Sequence, residues 1–253
     1  MTPLRICLVL LLGLSACSGA TLAYWNVEDA TAGGQADQLK SVEGKGPVLG
    51  AAANCTPVVV SDDVVKSPPG PAGNKLSLDF GSGKGGLMAE DDAALNFGDG
   101  AAFTIEFWIK PRNYTASEDP IIARVILQKR SAAGKAAPGY QINLMHDGKI
   151  GVRLEGKEGG GKTLFSVGSA PLGEWTHVAV MRTAEGVLSI YLNGVLDATA
   201  GGPKFAASIE NDGGLAVGYH RLVRANPDFY FDGQLDEIRI SDAALSPQEL
   251  LHK

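Results

Sequence analysis

Gly156-Lys157-Glu158-Gly159-Gly160-Gly161-Lys162-Thr163 fits the spacing G-x-x-x-x-G-K-[ST], in which glycine amides and a lysine cradle a phosphate. That chemistry needs a strand before the loop and a helix N-terminus after it, so that amides and dipole converge on the anion. Here Thr163–Val167 alternates as a strand does and Pro171 follows, so the segment reads as a Gly-rich hairpin loop. Gly81-Ser82-Gly83-Lys84-Gly85-Gly86 fits G-x-G-x-x-G just as literally. A dinucleotide site would need a crossover helix and a parallel strand next. Asn96-Phe97-Gly98-Asp99-Gly100 reads instead as loop, and no nucleotide is expected.

Catalytic sets are equally thin. His146, His177, His220 and His252 are scattered without metal-ligand spacing, and no G-x-S-x-G elbow occurs. Glycoside hydrolysis needs two carboxylates close together. Asp236 and Glu237 are strand neighbours, expected on opposite faces, and Glu155 and Glu158 fall in or beside the Gly-rich loop. They read as solvated turn carboxylates plus one structural acid, so no catalytic residue is assigned. Sugar binding asks for a flat aromatic face beside fixed polar partners. Tyr114, Tyr219, His220, Arg221 and Tyr230, in or beside expected loops, are the candidate ligand contacts, while Trp25, Trp108 and Trp175 read as structural.

The elements that must position these groups are strands. In Phe103–Ile109, Phe103, Ile105, Phe107 and Ile109 share one face, with Thr104, Glu106 and Trp108 on the other. Trp175–Met181 alternates too, Val178 and Val180 facing one way, and Ala184-Glu185-Gly186 turns it into Val187–Leu192. Asn193-Gly194 then predicts a two-residue type I′ hairpin into Val195–Thr199. Further strands are expected at Leu22–Val27, Thr56–Val60, Lys75–Phe80, Val125–Lys129, Tyr140–Met145, Ile150–Leu154, Thr163–Val167, Leu215–Gly218 and Phe229–Ile240. Residues 29–56 and 87–102 carry weak strand signals or loop. Ser246-Pro247-Gln248-Glu249 predicts a capped helical turn at the C-terminus. With 33 glycines and no long helical period, the class is all-β. A net charge of −6 without a basic stripe argues against a nucleic-acid partner.

Residues 1–16 read as a signal peptide: Arg5, the apolar run Ile6–Leu12, then Leu14-Ser15-Ala16 before Cys17. Leu-Ser-Ala-Cys resembles the lipobox of bacterial lipoproteins, which implies a lipidated Cys17, a short tether over 17–21 and a domain over 22–253. A plain secretory signal is the alternative. Ser18 in place of an aspartate points to the outer membrane. Once Cys7 leaves and Cys17 is acylated, Cys55 is alone, so no internal disulfide is expected and Cys55 reads as a small buried hydrophobe.

The order Ala23-Tyr24-Trp25, Leu76–Phe80, Phe103–Pro111, Gly173–Ala179, Tyr191–Gly194, Phe231–Ile240 and Ala244-Leu245-Ser246 resembles the laminin-G-like, concanavalin A-like jelly-roll family. The resemblance implies an antiparallel β-sandwich over the whole mature chain and a domain that binds rather than catalyses. It also implies a Ca²⁺ near the sandwich rim, with Asp37 and Asp236 the candidate ligands by position. The N-terminal loop departs from the family's clustered Asp, Gly and Asn, reading Asp37-Gln38-Leu39-Lys40-Ser41. The expected function is a lipid-anchored, non-catalytic module of the cell envelope that recognises a glycan or a protein. A glycan hydrolase on the same fold and a structural envelope protein are the alternatives.

Overall fold

The computed structural model describes residues 19–252, apart from 43–44, 67–68, 82–83, 120–121, 133–135 and 224–225. The expected leader and Cys17 lie outside the described residues, as do Ser82 and Gly83 of the second glycine motif. In chain order the strands are β1 (Thr21–Trp25), β2 (Gln38–Leu39), β3 (Leu49–Ala51), β4 (Val59–Ser61), β5 (Ser77–Asp79), β6 (Leu87–Ala89), β7 (Phe103–Pro111) and β8 (Arg124–Arg130). They continue with β9 (Gly139–Leu144), β10 (Lys149–Glu155), β11 (Lys162–Ser169), β12 (Thr176–Arg182), β13 (Val187–Leu192), β14 (Val195–Gly201), β15 (Leu215–Val217) and β16 (Gly233–Ser241). One sheet runs β14-β13-β12-β7-β16-β5-β4 with β1 also on β16, and the other runs β11-β10-β9-β8-β15-β6-β3-β2. Every pair of strands within the sheets is antiparallel. The class is an antiparallel β-sandwich, as expected.

Alternation explains the core between the sheets. Phe103, Ile105, Phe107 and Ile109 of β7 pack with Val178 and Val180 of β12, Leu188 and Ile190 of β13, and Ile142 and Leu144 of β9. The Asn193-Gly194 hairpin is present, with φ of 49° and 75°, the doubly positive pair that a type I′ turn requires. The C-terminal turn is capped as its sequence predicts, Ser246 and Glu249 bonding reciprocally around Pro247–Glu249.

The outward face of the first sheet is not open to solvent. The segment from Ala243 to His252 lies across it, packing Leu245 and Leu250 on Ala179 and Met181. Trp108 Nε1 donates to Leu251 O at 3.0 Å, and Leu245 N donates to Thr104 Oγ1 at 3.0 Å. Beneath it, the fully buried Glu106 faces His177 Nε2 at 2.9 Å, pairs with Arg239 and accepts Leu251 N at 2.7 Å.

At one side of the sandwich the edge strands β11 and β14 run against each other. Asp197 of β14 accepts Val167 N at 2.6 Å and Gly168 N at 3.0 Å, joining the two sheets. The short strands β2, β3 and β6 and the single turn α1 (Pro203–Ala206) are additions to the sequence-based expectation. The segment 87–102, expected as loop, begins with β6 because Leu87 and Ala89 face the core opposite Leu215 and Val217 of β15.

Candidate functional site

Strands β8 to β11 carry a polar rung on the face turned away from the core. Direct cross-strand partners share a face. Gln128 stands opposite Gln141, Gln141 opposite Arg153, and Arg153 opposite Thr163. Tyr140, Ile142 and Leu144 enter the core, so Gln141 and Asn143 turn outward; Ile150, Val152 and Leu154 do the same for Arg153 and Glu155. A bulge in β8 between Val125 and Leu127 sends both Ile126 and Leu127 inward and brings Gln128 out.

These side chains hold one another. Arg130 Nη1 donates to Gln141 Oε1 at 3.0 Å, and Gln141 Nε2 donates to Asn143 Oδ1 at 2.8 Å. Arg153 pairs with Glu155, whose Oε1 accepts Gly161 N at 2.8 Å. Gln128 differs: it is fully buried, and neither Nε2 nor Oε1 has a hydrogen-bond partner among the described residues. An unpaired buried amide costs about 1–3 kcal/mol, so Gln128 is a local penalty beneath the surface, and the exposed part of the rung lies on β9–β11. Beside it Phe165 is 40% exposed. Its ring lies against Gly151, where a Cβ would come within 3.2 Å of it. A cleft of about 560 Å³ opens at the end of the rung, between Arg130, Arg153 and Glu155 and the loop Lys157–Gly160. Fixed amides, guanidinium groups, one held carboxylate and an accessible ring suit the recognition of hydroxyl-bearing ligands.

A second cluster lies on the outward face of the other sheet. Strand β16 bulges between Asp236 and Arg239, with Glu237 at φ 52°. Leu235 and Ile238 both enter the core, so Asp236 and Glu237 turn the same way rather than to opposite faces, correcting the simple alternation. Both are buried, at 1% and 2% exposure, and neither is a solvated turn carboxylate. Asp236 Oδ2 accepts Asn74 Nδ2 at 2.7 Å, and Tyr24 donates its hydroxyl to Glu237. Glu28 Oε1 accepts Lys75 N and Leu76 N at 2.9 and 3.0 Å. Burial pushes Asp236 up to about 8, and Glu237 and Glu28 add repulsion. Burial likewise pushes Glu237 up to about 7, the Glu28 charge raising it further.

The oxygens of this cluster bear on the calcium expected near the rim. Asn74 Oδ1 is buried without a hydrogen-bond partner. Turning the amide over would set that oxygen beside Asp236 Oδ2, an oxygen-only pair of the kind a hard cation takes. Among the described residues no three His, Cys, Asp or Glu side chains converge on one metal position, so such a cation would lean on Asp236, Asn74, backbone carbonyls and water. Asp37, the other candidate, is exposed, precedes β2 in the opposite sheet, and has no hydrogen bond or ion pair to Asp236. The residues beside Asp236 are Asn74 and Glu237, with the Glu28 charge bearing on it.

The family model described as the concanavalin A-like lectin/glucanases superfamily, of laminin G type, matches residues 81–251, more than half the chain. The chain belongs to this family. Many solved structures share its fold, and three illustrate it. The binding domain of Paraclostridial Mosquitocidal Protein 1 superposes with a TM-score of 0.65 at 17% identity, over 90% of this chain and 50% of that one. The binding domain of botulinum neurotoxin serotype G gives 0.64 at 14% identity, over 91% and 49%. Domain 4 of AbnA, a GH43 extracellular arabinanase from Geobacillus stearothermophilus solved with arabinotriose, gives 0.64 at 16%, over 91% and 96%. The chain thus spans about half the length of the two toxin domains and nearly all of the arabinanase domain. No curated protein sequence matches it.

In this laminin G-like chain the five loop residues expected to touch a ligand do not gather at one surface. Tyr219 and Tyr230 are buried, their rings 6.4 Å apart, in a small cluster with Ala52 and Ala216 that Cys55 joins half-buried. No ring face is left there for a sugar. His220 is buried too, its Nδ1 accepting Val223 N at 3.0 Å, and burial pushes its pKa down to about 4. Tyr114 is half-buried and donates its hydroxyl to Ala170 O at 2.7 Å. Arg221 alone reaches the rung's neighbourhood, donating to Arg130 O at 2.8 Å. The loops that carry these residues fold back over the sheet, which reverses the inference from loop to exposure. The outward polar positions Gln141, Asn143 and Arg153 and the exposed Phe165 were not among the expected contacts, although Gln141 and Asn143 visibly alternate with Tyr140, Ile142 and Leu144.

Proposed function

We propose that the chain is a non-catalytic module that binds a glycan on the outward face of β8–β11, with Gln141, Asn143 and Arg153 addressing hydroxyls and Phe165 offering a stacking face. The observation that carries this is the polar rung of Gln141 and Arg153 in register across β9 and β10, beside the 40% exposed Phe165 ring and the cleft at Arg130 and Arg153. The arabinotriose held by the arabinanase domain of the same fold supports a saccharide ligand. A hydrolase finds its best acid pair in Asp236 and Glu237, but burial at 1% and 2% keeps a glycosidic bond from them. Calcium at Asp236 and Asn74, on the opposite face, fits a structural part in this reading, bracing the bulge of β16.

Gln141→Ala and Asn143→Ala are each expected to weaken glycan binding about tenfold, the worth of one or two hydrogen bonds, with little change in melting temperature. Calorimetric titration across a polysaccharide-oligomer panel measures it. Unchanged affinity in both variants would remove the rung from the site, and a panel without any binder would favour a protein partner.

The reading places the module at the outer face of a bacterial envelope, exported by residues 1–16 and anchored through a lipidated Cys17. Cys17→Ser is expected to move the protein from the membrane fraction to the soluble fraction of lysed cells. Retention in the membrane fraction would argue against the lipid anchor.

A further inference from the structure

We propose that the sugar unit held at the cleft end of this face is anionic, bearing a carboxylate or a sulfate gripped between Arg130 and Arg153. This rests on the glycan-binding reading and names the class of glycan. It follows from where the charges of the cleft are spent.

Arg130 gives its Nε to Ala137 O at 3.1 Å and its Nη1 to Gln141 Oε1 at 3.0 Å. Both acceptors are neutral, and no carboxylate pairs with Arg130 among the described residues. Arg153 uses Nη2 on Glu155 and leaves Nε and Nη1 without protein partners among the described residues. Glu155 is shared between that guanidinium and the Gly161 amide. On the strands, two guanidinium groups therefore face one carboxylate that is already engaged. On the loop, Lys157 and Glu158 offset each other. A local positive excess runs against the chain's net −6. Burial first, then the adjacent Arg153 charge, lowers the pKa of Arg130, a strain that a bound anion would relieve.

Glycines shape both the support and the wall of the cleft. Gly139 of β9 stands opposite both Arg130 and Glu155. Gly139 is buried, and a Cβ there would fall 2.1 Å from Lys129 O, so the glycine lets β8 and β9 close up beneath the two charged groups. The wall is the Gly-rich loop, whose Gly159 and Gly160 take φ of 74° and 71°. That loop, which its sequence likens to a phosphate cradle, is here the rim of a sugar cleft. Guanidinium groups bind carboxylate or sulfate in a bidentate fork, with a directional preference that a neutral hydroxyl cannot match.

The test uses residues 19–253 with three probes of matched length: oligogalacturonate, its methyl ester and a sulfated galactan oligomer. The expected result is that at least one anionic probe binds about tenfold or more tightly than the neutral ester. That preference should shrink as salt rises from about 0.05 to about 0.5 M. Arg130→Gln and Arg153→Gln should each abolish it, and Arg130→Lys should keep part of it. Binding of the carboxylated probe alone would assign a uronate-type ligand, and binding of the sulfated probe alone a sulfated one; either supports the inference. Equal binding of ester and acid, lost in Gln141→Ala but indifferent to both arginine variants, would overturn the anionic class and leave the glycan site standing. An absence of binding by every probe and every neutral oligomer would overturn both. Melting temperatures of the variants guard against misfolding, and in a variant that fails to fold, Arg130→Lys carries the comparison.

Discussion

Glu106→Ala is expected to lower the free energy of unfolding by about 3–5 kcal/mol, measured by urea denaturation at neutral pH. Glu106 is fully buried on β7 and answers three donors, His177, Arg239 and the Leu251 amide. Truncation leaves the Leu251 amide without its acceptor and the Arg239 guanidinium without its carboxylate, keeping only Glu249 O, and such orphaning is what makes the loss of one partner severe. It also frees the strap that covers Trp108 and Ala179, so residues 243–252 should become sensitive to protease in the variant while the remaining sandwich persists. Burial alone would raise the Glu106 pKa, but hydrogen bonding to His177 and the charge of Arg239 outweigh it and hold the group below its ordinary 4.5. A depressed acid contributes stability that is present above 4.5 and disappears as pH falls through the folded-state value. Wild type should therefore lose stability in acid more steeply than Glu106→Gln. A variant as stable as wild type, or parallel acid limbs for the two proteins, would show that the strap is held by its apolar contacts alone.

Asp236→Asn should do the reverse. In calcium-free buffer at pH 8 it is expected to raise the melting temperature by about 5 °C or more, with little difference near pH 4. The sign follows from the direction of the shift. Burial lifts Asp236 from 3.8 to about 8, so the folded state holds a proton that the unfolded state has released. Its stability is full below 3.8 and declines as pH rises toward 8. Asparagine, neutral throughout, escapes that decline. A calcium ion bound at Asp236 would supply the same relief to wild type: its addition at pH 8 should raise the wild-type midpoint and leave the variant's unchanged. Scanning fluorimetry over pH, with calcium and with chelator, measures both. A wild-type midpoint that ignores calcium at every pH would dismiss the ion from this cluster, and a variant less stable than wild type at pH 8 would dismiss the penalty itself.

The large elements were legible because their windows are long and their periods clean. Phe103–Ile109 and Val187–Leu192 bury the side chains that alternation assigns to the core. Strands β2, β3 and β6 have only two or three residues, too few for a period of two to register, and their pairing is set by distant partners. The bulge at Asp236–Arg239 was hidden for a different reason. Phe231–Ile240 reads as continuous alternation, and only its pairing with Trp108 and Glu106 shows two residues standing against one. Burial of the loop tyrosines depends likewise on segments far apart in sequence meeting over β15 and β6. The polar rung sat within reach: Gln141 and Asn143 alternate with core residues in a strand that was expected, but an outward amide looks like ordinary surface until its neighbours across β8 and β10 are known.

The carboxylate of Asp197, which takes the amides of Val167 and Gly168, has a consequence for the molecule's behaviour in crowded solution. A β-sandwich ends in strands whose open hydrogen bonds invite a foreign strand to add on, and β11 and β14 expose Val167, Val195 and Leu196 beside theirs. By spending two of those donors on its own opposite sheet, and by placing a negative charge at the seam, the chain closes the groove that a growing aggregate would enter. A single acidic side chain thus both joins the two sheets and works against the addition of a foreign strand at an apolar edge.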